Sequence, residues 1–398
     1  MRLYLLALNP TDSVTEGFLP AADRLGLAVT LLTDQPDAHR AAYRHLAAPP
    51  EVLPCEVRDF REVVGLVSRH HAPDAVFSNS DHLQTQTALA AEYFGLPAKD
   101  WRAALRAKNK AQLRRHLAAA GLDTVRAVEL APGQPVSGID PPFPCVVKPR
   151  EGVASEDVAL VADATELAAH CAAVRQRRPQ DALVVEEFLA GELHTLETLG
   201  DGTRRHVLGG FRTRISPPPH FVEEALEFVP EHPRPVVDQV LAQLDALGVG
   251  LGACHTEFVV QPDGRARIIE VNYRAIGDQC DLMLARLLDI PFFEHVLRVH
   301  LGEPLPAELG ARTGRHGHNR AVLADRAGTL TAAPAAQEYE KDGVQLVYRP
   351  FRTVGEHHVH HRTNRDYLGV VWAVGDDRRA VDGAVEAFLA ANRWEITP

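Results

Sequence analysis

Two carboxylates and an amide can share one face of a predicted β-hairpin in the second half of the chain. Strand-like alternation of residue types stands on both sides of the turn Pro262-Asp263-Gly264. Because strand side chains alternate between faces, Glu270 and Asn272 lie on the same face, and Glu257 on the facing strand can lie near them. Hard oxygen ligands suit Mg²⁺, which keeps positions open for water and nucleotide phosphates. The pattern therefore predicts a magnesium site, with an ordinary amphipathic hairpin as the alternative.

Two lysines are candidates for binding phosphate. Lys110 lies at the start of a predicted helix, and Lys148 ends a short apolar strand. Two ammonium groups in one cleft would neutralise a triphosphate, although each lysine alone is typical of a solvated surface. The loop 151–157, which contains Ser155, is rich in small residues and could cover phosphates with backbone N–H groups. Its single glycine matches neither glycine-rich phosphate motif, which disfavours P-loop and dinucleotide folds.

A third candidate is the end of the strand predicted at residues 183–192. Exposed backbone there could pair with the edge of an adenine, and a carboxylate such as Glu192 could hold ribose hydroxyls. Taken alone, the segment is an acidic strand end.

Composition limits the class of protein. The 398 residues are 45% hydrophobic and carry a net charge of −11, which predicts a globular chain of two or three packed subdomains and argues against bulk binding of nucleic acid or anionic membranes. The five cysteines form no C-x-x-C pair. With no recognisable signal peptide and no apolar run of roughly 18 residues, we expect a cytoplasmic protein with reduced thiols.

Strands and helices alternate over residues 1–100, which predicts a parallel α/β layer. The segment Ser78–Asp81 follows the third strand and either caps the next helix or lies at the carboxyl edge, where ligands of such sheets bind. A single helix is predicted over 101–120, ending at Gly121. A strand-rich unit then follows over 122–197.

The hairpin unit ends near residue 301, and the segment 302–317 is rich in proline and glycine. Short strands and an amphipathic helix over Asp382–Ala391 complete the chain. The predicted boundaries are therefore 1–100, 101–301 and 302–398.

In this order, the segments resemble the ATP-grasp superfamily of carboxylate–amine ligases. The resemblance is strong over 101–301 and looser on both sides. It implies an α/β and α+β architecture with an N-terminal pre-ATP-grasp domain of parallel α/β type. A nucleotide lid subdomain at about 122–197, a metal-site subdomain and a small C-terminal α+β portion that closes the module would follow.

The resemblance also implies that ATP and Mg²⁺ or Mn²⁺ lie between two lobes. Each implied role falls on residues of the motifs above. Lys110, Lys148 and the loop of Ser155 would contact phosphates; Glu186, Glu187, Leu189 and Glu192 would surround adenosine; Glu257, Glu270 and Asn272 would bind the metal. Arg274, with Gly277 after it, is the candidate to hold an acyl phosphate, and Lys148 the second catalytic candidate.

The segment Phe211–Glu224 mixes cations, a proline run and an aromatic residue, and we interpret it as a wall of the substrate pocket. Arg212 or Arg214 could pair with a substrate carboxylate, and His220 could contact substrate. A plain connecting loop, or a docking site for SH3-like modules, is the alternative. The same segment and the loop 151–157 are candidates for the cover that keeps water from an acyl phosphate.

Histidines raise two further questions. His255 beside Glu257 could contact substrate or merely pack. The cluster His357–His361 could bind a transition metal, but strand alternation lets at most two or three of its imidazoles converge. We favour a polar strand or loop near the cleft.

The implied function is ATP-dependent formation of an amide from a small carboxylate and an amine, through an acyl phosphate. Natural products of peptide or siderophore type are the expected products, and a homodimer is the expected assembly. Two alternatives stay open at this point. One is a ligase of primary metabolism, of purine-pathway or carboxylase type, and the other is a nucleotide-binding regulator without turnover.

Overall fold

The computed structural model describes residues 1–398 and arranges them around four β-sheets. The first sheet is parallel, with strand order β3-β2-β1-β4. Leu3 and Leu5 pack into one core and Tyr4 and Leu6 into another, so both faces of the sheet are covered. The predicted parallel α/β layer is confirmed. Its elements are β1 (Arg2–Leu6), a π-helical turn (Ser13–Phe18), α1 (Leu19–Arg24), β2 (Ala28–Thr33), α2 (Pro36–Tyr43), β3 (Glu51–Pro54), α3 (Phe60–Val67), β4 (Ala75–Phe77), a 3₁₀ turn (Asp81–Leu83) and α4 (Gln84–Tyr93).

The connection that follows contains two helices, α5 (Trp101–Lys108) and α6 (Lys110–Ala119), where the sequence predicted one. Asn109 between them has an extended backbone, and its side chain accepts a hydrogen bond from Gln112 N over 3.0 Å. This N-cap begins a new helix, so the single-helix prediction was wrong. As predicted, Gly121 follows the second helix, with a left-handed φ of 69°.

The second sheet is a separate four-stranded unit with order β5-β8-β6-β7, and we call it the lid. Its own small core includes Val147, Leu167 and Val185. Its elements are β5 (Ala127–Leu130), β6 (Cys145–Pro149), β7 (Ala159–Val161), α7 (Ala164–Arg177) and β8 (Leu183–Glu187). The strand that begins at Leu193 belongs to the next sheet, so the lid ends before the predicted boundary at 197.

The third sheet has ten strands and carries the predicted hairpin at one edge, in the order β14-β13-β9-β11-β12-β15-β20-β18-β17, with β10 on β9. The strands β9, β13 and β14 of its first half pack on α8 and α10. The elements of this half are β9 (Leu193–Asp201), β10 (Arg205–Val207), β11 (Gly210–Ile215), β12 (Glu223–Val229), α8 (Arg234–Leu247), β13 (Leu251–Val260), β14 (Ala266–Asn272), α9 (Cys280–Leu288) and α10 (Phe292–His300).

The C-terminal strands continue this sheet, because β15 pairs with β12 along Ala225, Leu226 and Glu227. The final helix begins at Arg378, earlier than predicted, where Asp377 accepts from Ala380 N over 2.8 Å. The fourth sheet has the order β19-β16-β21. The C-terminal elements are β15 (His316–Leu323), β16 (Gly328–Ala332), β17 (Gln337–Lys341), β18 (Val344–Pro350), β19 (His357–His358), a 3₁₀ turn (Asn364–Asp366), β20 (Tyr367–Gly375), α11 (Arg378–Ala391) and β21 (Glu395–Thr397).

All five cysteines are buried and unpaired. None of the helices combines the length and apolar character needed to cross a membrane.

Candidate functional site

A cavity lies between the lid and the large sheet. One part of it is apolar and the other carries ionisable side chains. The apolar part is lined by Val146, Phe188, Leu189, Leu193, Val259 and Ile269. An apolar slot next to a few convergent polar groups is typical of a small-molecule site.

The predicted hairpin forms the floor of the polar part. Glu257 lies directly opposite Glu270 in the antiparallel register, and Asn272 Nδ2 donates to Glu257 Oε1 over 3.4 Å. A register shift after Glu257 leaves Ile269 as an extra residue, and both Ile269 and Glu270 line the cavity. The structure thus brings the three predicted metal ligands together. This oxygen set consists of two carboxylates and one amide. The structure contains no group of three or more His, Cys, Asp or Glu side chains that could hold a metal.

Lys110 links the floor to the lid loop. Its Nζ donates to Glu270 Oε1 over 2.8 Å and to the carbonyl of Gly152 over 3.1 Å. Burial opposes the charge of Lys110, but Glu270 and then Asp81 more than offset it, so its pKa is raised. Lys110 is therefore a fixed cation at the polar end of the cavity.

Lys148 is held by Glu186 rather than standing alone. Lys148 Nζ lies 2.8 Å from Glu186 Oε2, and Arg114 contacts the same carboxylate with two nitrogens at 3.0 and 2.9 Å. Burial raises the pKa of Glu186, but Arg114 and Lys148 outweigh it and bring the pKa to about 2. The Glu186 carboxylate lines the cavity and is paired with two cations, so it orients Lys148. Its predicted place around adenosine stays a prediction.

Arg114 was missed in the sequence. It lies one helical turn after Lys110 on α6 and is buried at 4% exposure, where its Nη1 also donates to the carbonyl of Ile268 over 2.5 Å. The i, i+4 spacing from Lys110 was the available signal.

The strand end predicted to receive adenosine lies at the apolar part. Leu189 is buried and lines the cavity, and its N–H donates to no backbone oxygen. Glu187 also lines the cavity but is paired with Arg267 over 2.7 Å. Glu192 projects at the rim with 71% of its side chain exposed, 3.8 Å from His194.

Arg267 secures both chain segments that connect the lid to the large sheet. It donates to Asp123 Oδ1 over 3.0 Å and to the carbonyl of Thr124 over 2.8 Å on the incoming segment. On the outgoing segment it reaches Glu187. Nothing local in the sequence indicated this role, because its partners lie far apart in the chain.

The lid loop is closed over the cavity. Arg365 Nε lies 2.6 Å from Glu156 Oε1, and Asn364 N donates to the carbonyl of Ala154 over 3.2 Å. Ser155 lines the cavity, and its contact with phosphate stays a prediction. Ala154, Ser155 and Asp157 have φ of 55°, 54° and 58°, so this loop takes left-handed turns without glycine.

Arg274 lies half-buried just beyond the metal strand. Its Nη1 donates to the carbonyl of Ala275 over 2.8 Å, and a methyl group placed on Gly277 would lie 4.0 Å from the same nitrogen. Burial raises the pKa of the carboxyls of Asp81, Glu257 and Asp278, and Arg274 is among the cations that oppose this effect. The pKa is lowered overall for Asp81 and Glu257 and raised overall for Asp278. A single guanidinium among carboxylates is suited to an anionic substrate group.

His255 packs inside the site. Its Nδ1 lies 2.8 Å from Glu197 Oε1 and its Nε2 3.5 Å from Glu257 Oε1. Burial alone would lower its pKa, but Glu197 and Glu257 raise the pKa to about 10. Of the two roles left open by the sequence, the structure favours packing: a charged imidazole that steadies Glu257.

Arg212 and Arg214 lie on the wrong face of the sheet for their predicted role. Arg212 is opposite His194, whose ring stacks at 5.8 Å on Phe258, and Phe258 points away from the neighbouring Glu257. Arg212 pairs with Glu227 over 2.6 Å. Arg214 shares its face and pairs with Glu224 over 3.3 Å. The structure thus corrects the placement of both arginines in the substrate pocket.

Other parts of the segment Phe211–Glu224 do reach the cavity, namely Ile215, Phe221 and Glu223. His220 does not line it. His220 lies next to the contact in which Leu160 N of the lid donates to the carbonyl of Pro219 over 3.0 Å.

Glu223 was not singled out in the sequence as a site residue. Its N–H donates to Asn364 Oδ1 over 3.0 Å, and its carbonyl accepts from Tyr367 Oη over 2.8 Å. Burial first, and then Glu257 and Asp278, raise the pKa of Glu223 to about 8. A carboxyl with that pKa can exchange a proton near neutral pH.

The histidine cluster forms a polar loop around buried Asp366. His358 Nε2 lies 3.0 Å and His360 Nε2 3.6 Å from this carboxylate, which also accepts from the backbone N–H groups of His361 and Arg362 at 2.8 and 2.5 Å. This arrangement agrees with the polar strand or loop that we favoured.

Comparison with known proteins gives one family match and one curated relative. Residues 141–282 match the family model of the ATP-grasp domain. The uncharacterized protein y4rH of Sinorhizobium fredii is 28% identical over 421 residues, which cover 100% of this chain and 84% of that protein.

Solved structures share the whole architecture. L-amino acid ligase from Bacillus licheniformis superposes with a TM-score of 0.82 at 22% identity, over 100% of this chain and 99% of that one. The biotin carboxylase domain of Hydrogenobacter thermophilus 2-oxoglutarate carboxylase was solved as a dimer with MgADP, ADP and bicarbonate. It superposes with a TM-score of 0.71 at 14% identity, over 99% and 91% of the two chains. These likenesses establish the fold.

Proposed function

We propose that this chain is a carboxylate–amine ligase of the ATP-grasp superfamily, which uses ATP to form an amide from a small carboxylate and an amine. One observation carries the proposal. One cavity combines an apolar slot, two buried lysines and the oxygen set Glu257, Glu270 and Asn272, and Arg274 lies just beyond that set. A nucleotide and a second anionic substrate need these features side by side.

ATP, as a substrate, would place its adenine in the apolar slot. The N–H of Leu189 faces no backbone acceptor, so it can donate to a ring nitrogen, and Glu192 at the rim is the candidate for the ribose hydroxyls. Lys110 and Lys148 then lie on the phosphate side, beneath the loop of Ser155. The carboxylate of Glu187 is already paired with Arg267, so we expect Glu187 to contact ATP through its backbone and not through its charge.

The residues present fit a magnesium ion. Glu257 and Glu270 face each other across the hairpin and Asn272 lies beside them, which supplies hard oxygens while leaving other positions for phosphate and water. Mn²⁺ accepts the same oxygen donors. When bound, the ion would offset negative charge on the phosphates. His255 holds Glu257 from behind, and Lys110 holds Glu270.

In the first step, a carboxylate oxygen of the substrate attacks the γ-phosphorus of ATP. The bond between that phosphorus and the β–γ bridging oxygen breaks, and ADP leaves. Lys110 and Lys148 stabilise charge that develops on the transferred group, and Arg274 holds the acyl phosphate that forms. The closed contacts of the lid loop with Arg365 and Asn364 keep water from this intermediate.

In the second step, an amine attacks the acyl carbon and phosphate leaves. An ammonium substrate loses two protons on the way to the amide. Glu223 on the cavity wall, with its pKa raised to about 8, is the candidate to accept one of them, and the departing phosphate takes the other. The neighbouring Asp278 adds negative charge, which favours an amine that arrives as an ammonium ion. The products are an amide, ADP and phosphate.

Within this class, we favour an amino-acid substrate and a product of peptide or siderophore type. The full-length likeness to an L-amino acid ligase supports this choice, as does a cavity lined by both apolar and ionisable side chains. The chain also resembles a biotin carboxylase domain, at a lower TM-score, so a ligase of primary metabolism stays the alternative. A regulator without turnover would have little use for the complete set of lysines and oxygen ligands.

The test measures ADP and phosphate release with Mg-ATP against a matrix of amino acids and polycarboxylic acids, with mass spectrometry on every positive mixture. A product whose mass equals two substrates less water establishes the ligase and identifies its partners. Lys148→Met serves as the inactive control. Tight ATP binding without substrate-stimulated turnover in any mixture would contradict the proposal and favour the regulator.

A further inference from the structure

Lys99 is a buried lysine outside the cavity described above, and both of its hydrogen-bond partners are neutral oxygens. It is 6% exposed, and its Nζ donates to Gln84 Oε1 over 2.7 Å and to the carbonyl of Tyr273 over 2.5 Å. The same Nζ lies 4.4 Å from the centre of the Tyr273 ring. Burial of an ammonium group without a carboxylate is unfavourable, so this lysine calls for an explanation.

Gln84 connects Lys99 to the carboxyl edge of the parallel sheet. Its Nε2 donates to the carbonyls of Ser78 and Ser80 over 2.9 and 2.8 Å. Between them, Asn79 Oδ1 accepts from Ala275 N over 3.0 Å, and Asp81 next in the chain pairs with Lys108. Gln84 therefore fixes the loop Ser78–Asp81, which contacts the segment of Arg274.

Tyr273 connects Lys99 to the strand of the proposed metal ligands. It lies between Asn272, a proposed metal ligand, and Arg274, the proposed grip on the acyl phosphate. A hydrogen bond to its carbonyl fixes the plane of the peptide that leads into Arg274. Positions of such groups must hold to within about half an ångström for efficient chemistry.

We propose that Lys99 is a positioning residue, which holds Arg274 and the loop Ser78–Asp81 in fixed relation across the active site. This inference rests on the proposed ligase function. Lys99 contacts no reacting group. It acts through the carbonyl of Tyr273 on one side and through Gln84 on the other.

The backbone of β13 lies close to the Lys99 side chain. A methyl group placed on Gly252, whose φ is 89°, would lie 2.8 Å from Lys99 Cε, so the backbone of β13 closes directly onto the side chain. Burial lowers the pKa of Lys99 to about 7. A neutral amine still has two N–H groups for its two oxygen acceptors, so the connection persists without the charge.

The first experiment compares Lys99→Met with the wild type in the number of amide products formed per ADP released. We expect this ratio to fall roughly tenfold, because a displaced Arg274 lets the acyl phosphate escape to water, a size of effect typical of small misplacements. The KM for ATP should stay close to wild type, since Lys99 does not line the cavity that contains Lys110 and Lys148. Gln84→Leu, which keeps the bond to Tyr273, should show a smaller loss.

Thr87→Val is the matched control. Thr87 lines the same small cavity as Lys99 and Gln84, and its buried hydroxyl has no hydrogen-bond partner. Removal of this hydroxyl changes the polarity of the cavity but breaks no contact of Lys99, so product per ADP should match the wild type. An equal loss in Thr87→Val would mean that general disturbance of the cavity, not positioning, causes the effect.

Amide hydrogen exchange supplies a second test that does not depend on turnover. In Lys99→Met, the Ala275 N–H that donates to Asn79 should exchange faster than in the wild type, while amides of the lid sheet keep their wild-type rates. Unchanged exchange at Ala275 overturns the positioning role, whether or not the substrates are found. If the wild type forms no amide, the proposed function fails by itself, and exchange alone decides on Lys99.

Discussion

Lys148 and Glu186 form an ion pair of 2.8 Å on paired strands of the lid, and Arg114 reaches the same carboxylate from α6. Glu186 therefore serves two cations that come from different layers of the molecule. One of them faces the cavity, and the other attaches the lid to the helix that begins with Lys110.

Substitutions of Lys148 and of Glu186 should therefore have different effects on the protein. Lys148→Met leaves Glu186 paired with Arg114, so we expect a folded protein with weakened ATP binding and turnover, measured by isothermal titration and ADP release. Unchanged kinetics would mean that the nucleotide binds elsewhere.

Glu186→Gln removes the only carboxylate between two buried cations. We expect the free energy of unfolding to fall by about 3–5 kcal/mol, the usual cost of an uncompensated buried charge, as measured by urea denaturation. A stability equal to that of Lys148→Met would contradict the shared role of this carboxylate.

Glu270→Ala should abolish ATP turnover while the fold persists, because it removes one of two opposed carboxylates of the proposed metal set and the partner of Lys110. ADP release and circular dichroism measure the two effects. Glu340→Ala, on the exposed strand β17, is the control and should retain activity. Wild-type turnover in Glu270→Ala would remove the metal assignment.

Arg274→Ala should lower product formation far more than ATP affinity, by roughly a hundredfold in kcat if it holds the acyl phosphate. Arg212→Ala is a matched control on the opposite face of the sheet and should be close to wild type. A defect confined to ATP binding in Arg274→Ala would rule out its proposed role, and an equal loss in Arg212→Ala would contradict the face assignment.

The stability of the protein should depend on Lys99 at alkaline pH. Its pKa is about 7 in the folded chain against an ordinary 10.5, so between these values the unfolded chain holds a proton that the folded chain lacks. Stability from this group therefore rises with pH across that window, by up to about 1.4 kcal/mol per pH unit. Urea denaturation of wild type and Lys99→Met at pH 7, 8 and 9 should show a shallower slope in the variant. Parallel slopes would contradict the lowered pKa.

Local patterns in the sequence predicted much of the fold and part of the candidate site. Alternation around one turn predicted that Glu257, Glu270 and Asn272 would converge, because strand geometry and a tight turn fix that relation within twenty residues. Lys110 was likewise placed by a helix start. The break at Asn109 was visible as a capping residue but was outweighed by the helix-forming residues on both sides.

Long-range relations could not be obtained in this way. The face on which Arg212 lies depends on its pairing with His194 in β9, and a change of one residue in register would reverse it. Arg114, Arg267 and Lys99 each contact a partner more than seventy residues away in the chain. Of the three, only Arg114 had a local signal, its i, i+4 spacing from Lys110.

The pairing of β12 with β15 joins the metal-site strands and the C-terminal strands into one continuous sheet. The final hundred residues are therefore not a detachable module. In a chain cut at residue 302, β12 would become an exposed edge strand with unpaired backbone groups at Ala225, Leu226 and Glu227, next to Glu223. Exposed edge strands promote aggregation. For engineering, this means that substrate range is better altered by substitutions within the cavity than by exchange of C-terminal segments between relatives.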